Sequence, residues 1–207
     1  MLKARELWEA VKVLCGKRFT MHFPIGSATP EPPPYPRFRG KPKYSETGCV
    51  GCGACSQVCP SRAITLTDDL PSAKRRLVLD YGQCIFCGTC ERGCITQEGI
   101  RLSQDFDTAH FDRRCAENFT TVEKDLALCE RCGSAISGRD HLAWMADRLG
   151  AMAYTNPTLA LAAQQKLGLA EPAPKMAPGA AQASRGDLYR QLCPGCRRVV
   201  LLKEHWI

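Results

Sequence analysis

Cys49-Val50-Gly51-Cys52-Gly53-Ala54-Cys55-Ser56-Gln57-Val58-Cys59-Pro60 and Cys84-Ile85-Phe86-Cys87-Gly88-Thr89-Cys90-Glu91-Arg92-Gly93-Cys94-Ile95 are one pattern written twice. In each copy three cysteines stand two residues apart and a fourth follows after three more, and the copies are offset by 35 residues. Short runs of β character flank them: Ala63-Ile64-Thr65-Leu66 after the first, Leu77-Val78-Leu79 before the second and Gly99-Ile100-Arg101-Leu102 after it. Gly51, Gly53 and Gly88 let the backbone come close to whatever the thiols hold and aim N–H groups at it.

The spacing selects the chemistry. Three cysteines on a tight loop can wrap three irons of a cubane, while the fourth iron is out of that loop's reach. In bacterial two-cluster ferredoxins the fourth cysteine ligates the other cluster. This rule assigns one [4Fe–4S] cluster to Cys49, Cys52, Cys55 and Cys94, and a second to Cys84, Cys87, Cys90 and Cys59. Zinc prefers paired C-x2-C knuckles to three cysteines in series. Disulfides are disfavoured because eight cysteines at such short intervals leave poor geometry for most pairings.

The composition agrees. The chain has 207 residues and 14 cysteines, with only 7 % aromatics, so metal or disulfides must supplement a modest core. Met1 to Thr20 is mixed in charge and has no apolar run long enough for an export signal. No segment has the roughly 18 apolar residues of a membrane span. A reduced intracellular setting is therefore expected, where clustered cysteines bind metal. The formal charge of +7 counts every cysteine as neutral. Three four-thiolate sites at about −2 each would offset nearly all of it, which removes the case for a nucleic-acid partner.

The sequence divides into an amphipathic helix and proline-rich arm over 1–47, a ferredoxin domain over 48–103 and a C-terminal extension over 104–207. In residues 1–19, Leu7, Val11 and Leu14 share a face with Ala4, Trp8 and Cys15, which predicts a helix lying on a membrane, on a partner or on its own domain. Pro24, Pro30, Pro32, Pro33, Pro34, Pro36 and Pro42 keep the next segment extended. The alanine- and proline-rich stretch from Glu171 to Ala183 reads as a mobile loop.

The extension holds two further pairs, Cys129-Glu130-Arg131-Cys132-Gly133 and Cys193-Pro194-Gly195-Cys196. Two such knuckles make a tetrahedral site for zinc or a single iron, rubredoxin-like in form. Between them a helical hairpin is expected: one helix over Asp140–Leu149 ending at Gly150, another capped by Asn156-Pro157 and stopping near Gly168. Ser184 with Asp187 predicts a cap for a last helix leading into Cys193.

With these motifs in view, the core resembles the two-cluster ferredoxin subunit of the complex I and membrane-bound group 4 [NiFe] hydrogenase superfamily. Thr20-Met21-His22-Phe23-Pro24 and Arg37-Phe38-Arg39-Gly40 are similar to the family's arm before its first motif, and Cys84-Ile85-Phe86-Cys87-Gly88 to its second motif. The resemblance covers roughly residues 1–103. The second motif departs from the family's usual Cys-Pro ending: Ile95 follows Cys94. The extra knuckle pair resembles the cysteine-bearing extensions of the formate hydrogenlyase and hydrogenase-4 type more than the complex I counterparts. The resemblance implies an α+β two-cluster ferredoxin core and electron transfer within a complex, with no bond of a substrate broken on this chain. It implies an electron-input iron–sulfur partner and, for output, the small subunit of a [NiFe] hydrogenase. It also implies peripheral attachment, through the first helix, to the cytoplasmic face of the cell membrane.

Three other readings remain open at this stage: the corresponding complex I subunit, a free soluble ferredoxin, and a zinc-dependent binding or assembly module. Cys15 and Cys115 read as small apolar residues, and His22, His110, His141 and His205 have no paired spacing. Arg113-Arg114 and Lys74-Arg75-Arg76 read as solvated charge.

Overall fold

A computed structural model describes residues 4–16, 35, 37–108, 110, 112–171 and 185–203. Most of the proline-rich arm, the Thr20–Pro24 motif, Ser184, His22, His205 and nearly all of the Glu171–Ala183 stretch lie outside these residues. The chain separates into two units, Met1–Phe38 and Arg39–Ile207. In the first, helix α1 spans Ala4–Cys15, within the helix expected over residues 1–19, and none of its residues is buried. Leu7, Trp8, Val11 and Leu14 are all exposed on it.

The second unit is built on the repeat. Strand β1 (Pro42–Tyr44) leads into the first cysteine motif, short helix α2 (Ala54–Gln57) and strand β2 (Ile64–Asp69). Strand β3 (Lys74–Asp80) leads into the second motif, α3 (Thr89–Arg92) and β4 (Ile100–Leu102). The outer strands pair antiparallel, with Lys43 opposite Arg101, and the inner strands pair antiparallel, with Leu66 opposite Leu77. Each strand-loop-helix-strand half thus closes on the other around a pseudo-twofold axis. Leu77, Leu79 and Ile100 are at most 1 % exposed between the halves. Burial of such side chains contributes about 1.5–3 kcal/mol each.

The repeat is written in the backbone as well as in the cysteines. Left-handed φ values occur at Gly51 and Phe86, at Gly53 and Gly88, and at Arg62 and Gln97, three pairs at the same 35-residue offset. Arg62, Gln97 and Phe86 adopt this conformation with side chains that ordinarily avoid it. The loop path around each motif therefore overrides local preference.

The division expected after residue 103 falls within a continuous structure. Strand β5 (Phe119–Leu128) adds to the free edge of β3, with Val122 opposite Leu77, and β6 (Ala135–Gly138) adds to β5. The four-stranded sheet β2-β3-β5-β6 therefore joins residues assigned to the ferredoxin domain with residues assigned to the extension. β1 likewise lies before the expected start of that domain.

Helix α4 (Arg139–Leu149) ends at Gly150, whose φ is +56°, and α5 (Pro157–Lys166) starts at Asn156, whose side chain accepts the Thr158 N–H at 3.0 Å. The hairpin packs Leu142, Ala146, Leu159 and Ala162 around Ala127 of β5. The last helix differs from expectation. α6 (Pro194–Lys203) begins after Cys193 instead of leading into it. Proline supplies the fixed φ and the missing N–H suited to a first helical turn, so the second knuckle is itself the helix start. Asp187 lies in a 3-10 turn, Arg185–Tyr189.

Candidate metal centres

Two cavities flank the pseudo-twofold core. Cys49, Cys52, Cys55 and Cys94 line the first, with Tyr44, Leu77 and Ile100. Cys59, Cys84, Cys87 and Cys90 line the second, with Pro42, Ile64 and Leu79. The fold thus gathers the two sets of four expected from the sequence, each with three cysteines from one motif and the fourth from the other. The crossing follows from topology: β1 pairs with β4 and β2 with β3, so the end of each motif turns toward the other half.

Polar hydrogens converge on the sulfurs. The Phe86 N–H donates to Cys84 Sγ at 3.4 Å, and the Gly51 N–H opposes the rise that burial imposes on the Cys49 thiol. Cys94 Sγ lies 3.3 Å from Thr96 Oγ1, and its counterpart Cys59 Sγ lies 3.7 Å from Ser61 Oγ. Burial pushes the Cys94 thiol up, but the hydroxyl and N–H of Thr96 and the N–H groups of Gly99 and Ile100 outweigh it, and its pKa falls below the ordinary value. The Thr96 hydroxyl, whose one proton serves either contact, also lies 2.9 Å from the Gly48 carbonyl oxygen, at the loop exit where the proline is missing after Cys94. Thr89 Oγ1, 3.3 Å from Cys87 Sγ, lowers the pKa of that thiol.

The deep cysteines behave oppositely. Burial pushes Cys55 up to about 12 and Cys90 up to about 11. Such thiols become thiolates only when a bound cation displaces their protons. Tyr44, itself raised by burial, keeps its hydroxyl proton 3.8 Å from Cys55 Sγ. An all-sulfur donor set with N–H and O–H groups facing the sulfurs fits a [4Fe–4S] cluster at each cavity.

Gly53 and Gly88 precede α2 and α3 with φ of +80° and +74°. A Cβ on Gly53 would sit 2.6 Å from Leu66 Cδ1. Gly53→Ala should therefore destabilise the protein by about 2 kcal/mol or more, adding a core displacement to the left-handed backbone cost of about 1–2 kcal/mol. Gly133→Ala, at φ +72° with nothing within 4 Å of the new Cβ, should show the backbone cost alone. Thermal denaturation of the two variants measures the difference.

The third group is tighter. The Sγ atoms of Cys129, Cys132, Cys193 and Cys196 all lie within 4.8 Å of one another, and Cys132 and Cys193 are 3.7 Å apart. A tetrahedron with metal–sulfur bonds near 2.3 Å has edges of about 3.8 Å. The first knuckle is the β5–β6 turn, closed by Gly133 N–H to the Cys129 carbonyl at 2.8 Å, and Cys129 is fully buried. The second knuckle opens α6, where the Cys196 N–H donates to Cys193 Sγ at 3.4 Å. Glu130 joins the knuckles: its N–H donates to the Gln191 carbonyl at 3.0 Å, and its carboxylate accepts the Gln191 N–H at 3.1 Å. The hydroxyl and N–H of Ser134 hold Cys132 down at about 6. Four convergent sulfurs at these separations fit a single tetrahedral ion.

Cys15 is exposed on α1, and Cys115 sits in neither cavity. Sequence reasoning missed Tyr44, Thr89, Thr96, Arg75 and Lys124. Only the serine or threonine two residues after a cysteine left a readable signal.

A two-cluster ferredoxin domain is the class that this fold and these cysteines define. Residues 48–98 match the family model described as a 4Fe-4S dicluster domain. Over 118 residues the chain is 32 % identical to NADH-quinone oxidoreductase subunit I 2 of Geobacter metallireducens (strain ATCC 53774 / DSM 7210 / GS-15), covering 53 % of this chain and 84 % of that protein. It is 42 % identical over 92 residues to formate hydrogenlyase subunit 6 of Escherichia coli (strain K12), covering 44 % of this chain and 48 % of that one. A chain in the structure of the membrane-bound sulfane sulfur reductase, an archaeal respiratory membrane complex, matches at 28 % identity and a TM-score of 0.34, over 54 % of this chain and 58 % of that one. The protein belongs to the family of two-cluster ferredoxin subunits of the complex I and group 4 hydrogenase superfamily.

Proposed function

We propose that this chain is the electron-relay subunit of a membrane-bound [NiFe] hydrogenase complex of the formate hydrogenlyase kind. One cluster is held by Cys49, Cys52, Cys55 and Cys94, and the other by Cys84, Cys87, Cys90 and Cys59. The observation that supports this best is the pair of cavities, each lined by cysteines from both copies of the motif. When bound, each cluster takes up and releases one electron at a time. The chain's own part is to hold the sulfurs, to direct N–H and O–H groups at them and to keep water from the inner faces through Tyr44, Leu77, Leu79 and Ile100. Electrons enter from an iron–sulfur partner and leave to the hydrogenase small subunit. The fourfold cysteine site binds one zinc or iron that fixes the segment from residue 185 onward to the β5–β6 turn.

No described helix is long and apolar enough to cross a membrane. The exposed apolar side chains of α1 support peripheral contact with the cytoplasmic membrane surface. The 42 % identity to formate hydrogenlyase subunit 6 favours the hydrogenase reading. A place in an NADH-quinone oxidoreductase is the second reading, favoured by the 84 % coverage of the Geobacter subunit. The partner that copurifies with the tagged chain decides between them.

Anaerobic purification with iron, sulfide and zinc analysis tests the cluster reading. About eight irons and eight sulfides per chain, with interacting S = 1/2 EPR signals after dithionite reduction, are expected. Metal without sulfide, and no such signal, would overturn it.

A further inference from the structure

Across the β3–β5 pairing, Lys74 faces Asp125 and Arg76 faces Glu123, but Arg75 faces Lys124. Like charges directly opposite each other destabilise a sheet. Both side chains are also largely buried, at 11 % and 15 % exposure. Arg75 forms a two-point ion pair with Asp68, at 2.7 and 2.9 Å, and donates to the Gly51 carbonyl at 2.9 Å. Lys124 donates to the Glu46 carbonyl at 2.6 Å and to Asp140 of α4 at 3.1 Å. Its stem lies on Gly51, since a Cβ there would sit 3.0 Å from Lys124 Cβ. Both cations therefore converge on the loop of the first motif, whose Gly51 N–H serves Cys49. At the second motif Gly51 is replaced by Phe86, and the cations at the loop include Arg39, bonded to the Cys87 carbonyl at 3.2 Å, and Arg92, bonded to Thr89 Oγ1 at 3.3 Å, both exposed.

We propose that Lys124, brought in by β5, is a tuning residue that raises the midpoint potential of the cluster on Cys49, Cys52, Cys55 and Cys94, with Arg75 fixing the Gly51 peptide, while the other cluster is left nearly unaffected. The proposal rests on the cluster reading above. One-electron reduction takes a four-thiolate [4Fe–4S] unit from about −2 to about −3. A buried cation stabilises the more negative state more, and burial limits its screening by salt. Exposed Arg39 and Arg92 lack this advantage. Asp68 and Asp140 offset the like-charge pairing in the sheet.

The test is an EPR-monitored redox titration, at fixed pH, of the full chain purified with its clusters. Lys124→Met keeps the stem on Gly51 and removes the charge. It should lower one midpoint and leave the other in place. The signal that moves should be the one that survives in a Cys59→Ser, Cys84→Ser chain. Lys124→Arg should restore the wild-type value, and Asp140→Asn, which removes the countercharge, should shift the same midpoint upward. Two intact signals that do not move, that move equally, or that shift as much with arginine as with methionine would overturn the role of Lys124 alone. A wild-type chain without the two signals would overturn the cluster reading and this proposal with it.

Discussion

Replacing Cys59 and Cys84 together should cost one cluster, not two. In the structure these residues line one cavity, although they belong to different copies of the motif. Cross-ligation makes their losses fall on the same cluster, so the Cys59→Ser, Cys84→Ser chain should keep about four irons and four sulfides, half the full complement. The pair Cys49 and Cys59 comes from one motif but lines different cavities, and its double replacement should empty both sites. If each motif instead held its own cluster, the two outcomes would exchange. Iron and sulfide per folded chain, measured under argon, separate these patterns.

The second large effect lies at the third cysteine group. Cys129 is fully buried beneath the first knuckle and packs with Leu192 and Val200. Cys129→Ser should remove the tightly bound zinc or sulfide-free iron while leaving the other eight irons and their sulfides. Structural zinc sites contribute about 10 kcal/mol of apparent binding energy in small peptides, so a loss of several kcal/mol is expected here. It should be local: amide exchange should rise across 185–203 and little at β3. A variant that keeps wild-type metal content and exchange would show that the four sulfurs hold no ion.

Much of this architecture could be read from the residues. Cysteine spacing carries the division into two sets of four because a loop of that length reaches only three corners of a cube. The helical hairpin was legible from Gly150 and Asn156-Pro157, where backbone requirements are local. β5 was not legible. Thr120-Thr121-Val122-Glu123-Lys124-Asp125 is strongly polar, and it is held as a strand by the unpaired edge of β3 and by Val122 in the core, neither of which is a local property. The Arg75–Lys124 seat was hidden for the same reason, since it exists only through the register of two strands far apart in sequence. The left-handed residues Phe86, Arg62 and Gln97 gave no warning, because tertiary context sets their backbone against their own preference.

The addition of β5 to β3 also bears on how the protein can be cut. A fragment ending near Leu102 would keep all eight cysteines of the two motifs yet expose the seven-residue β3 as a bare edge. Such an edge, with Leu77 and Leu79 in its middle, is a template for sheet growth between molecules. A fragment meant to be handled as a minimal redox module should begin near Arg39 and run through Leu128.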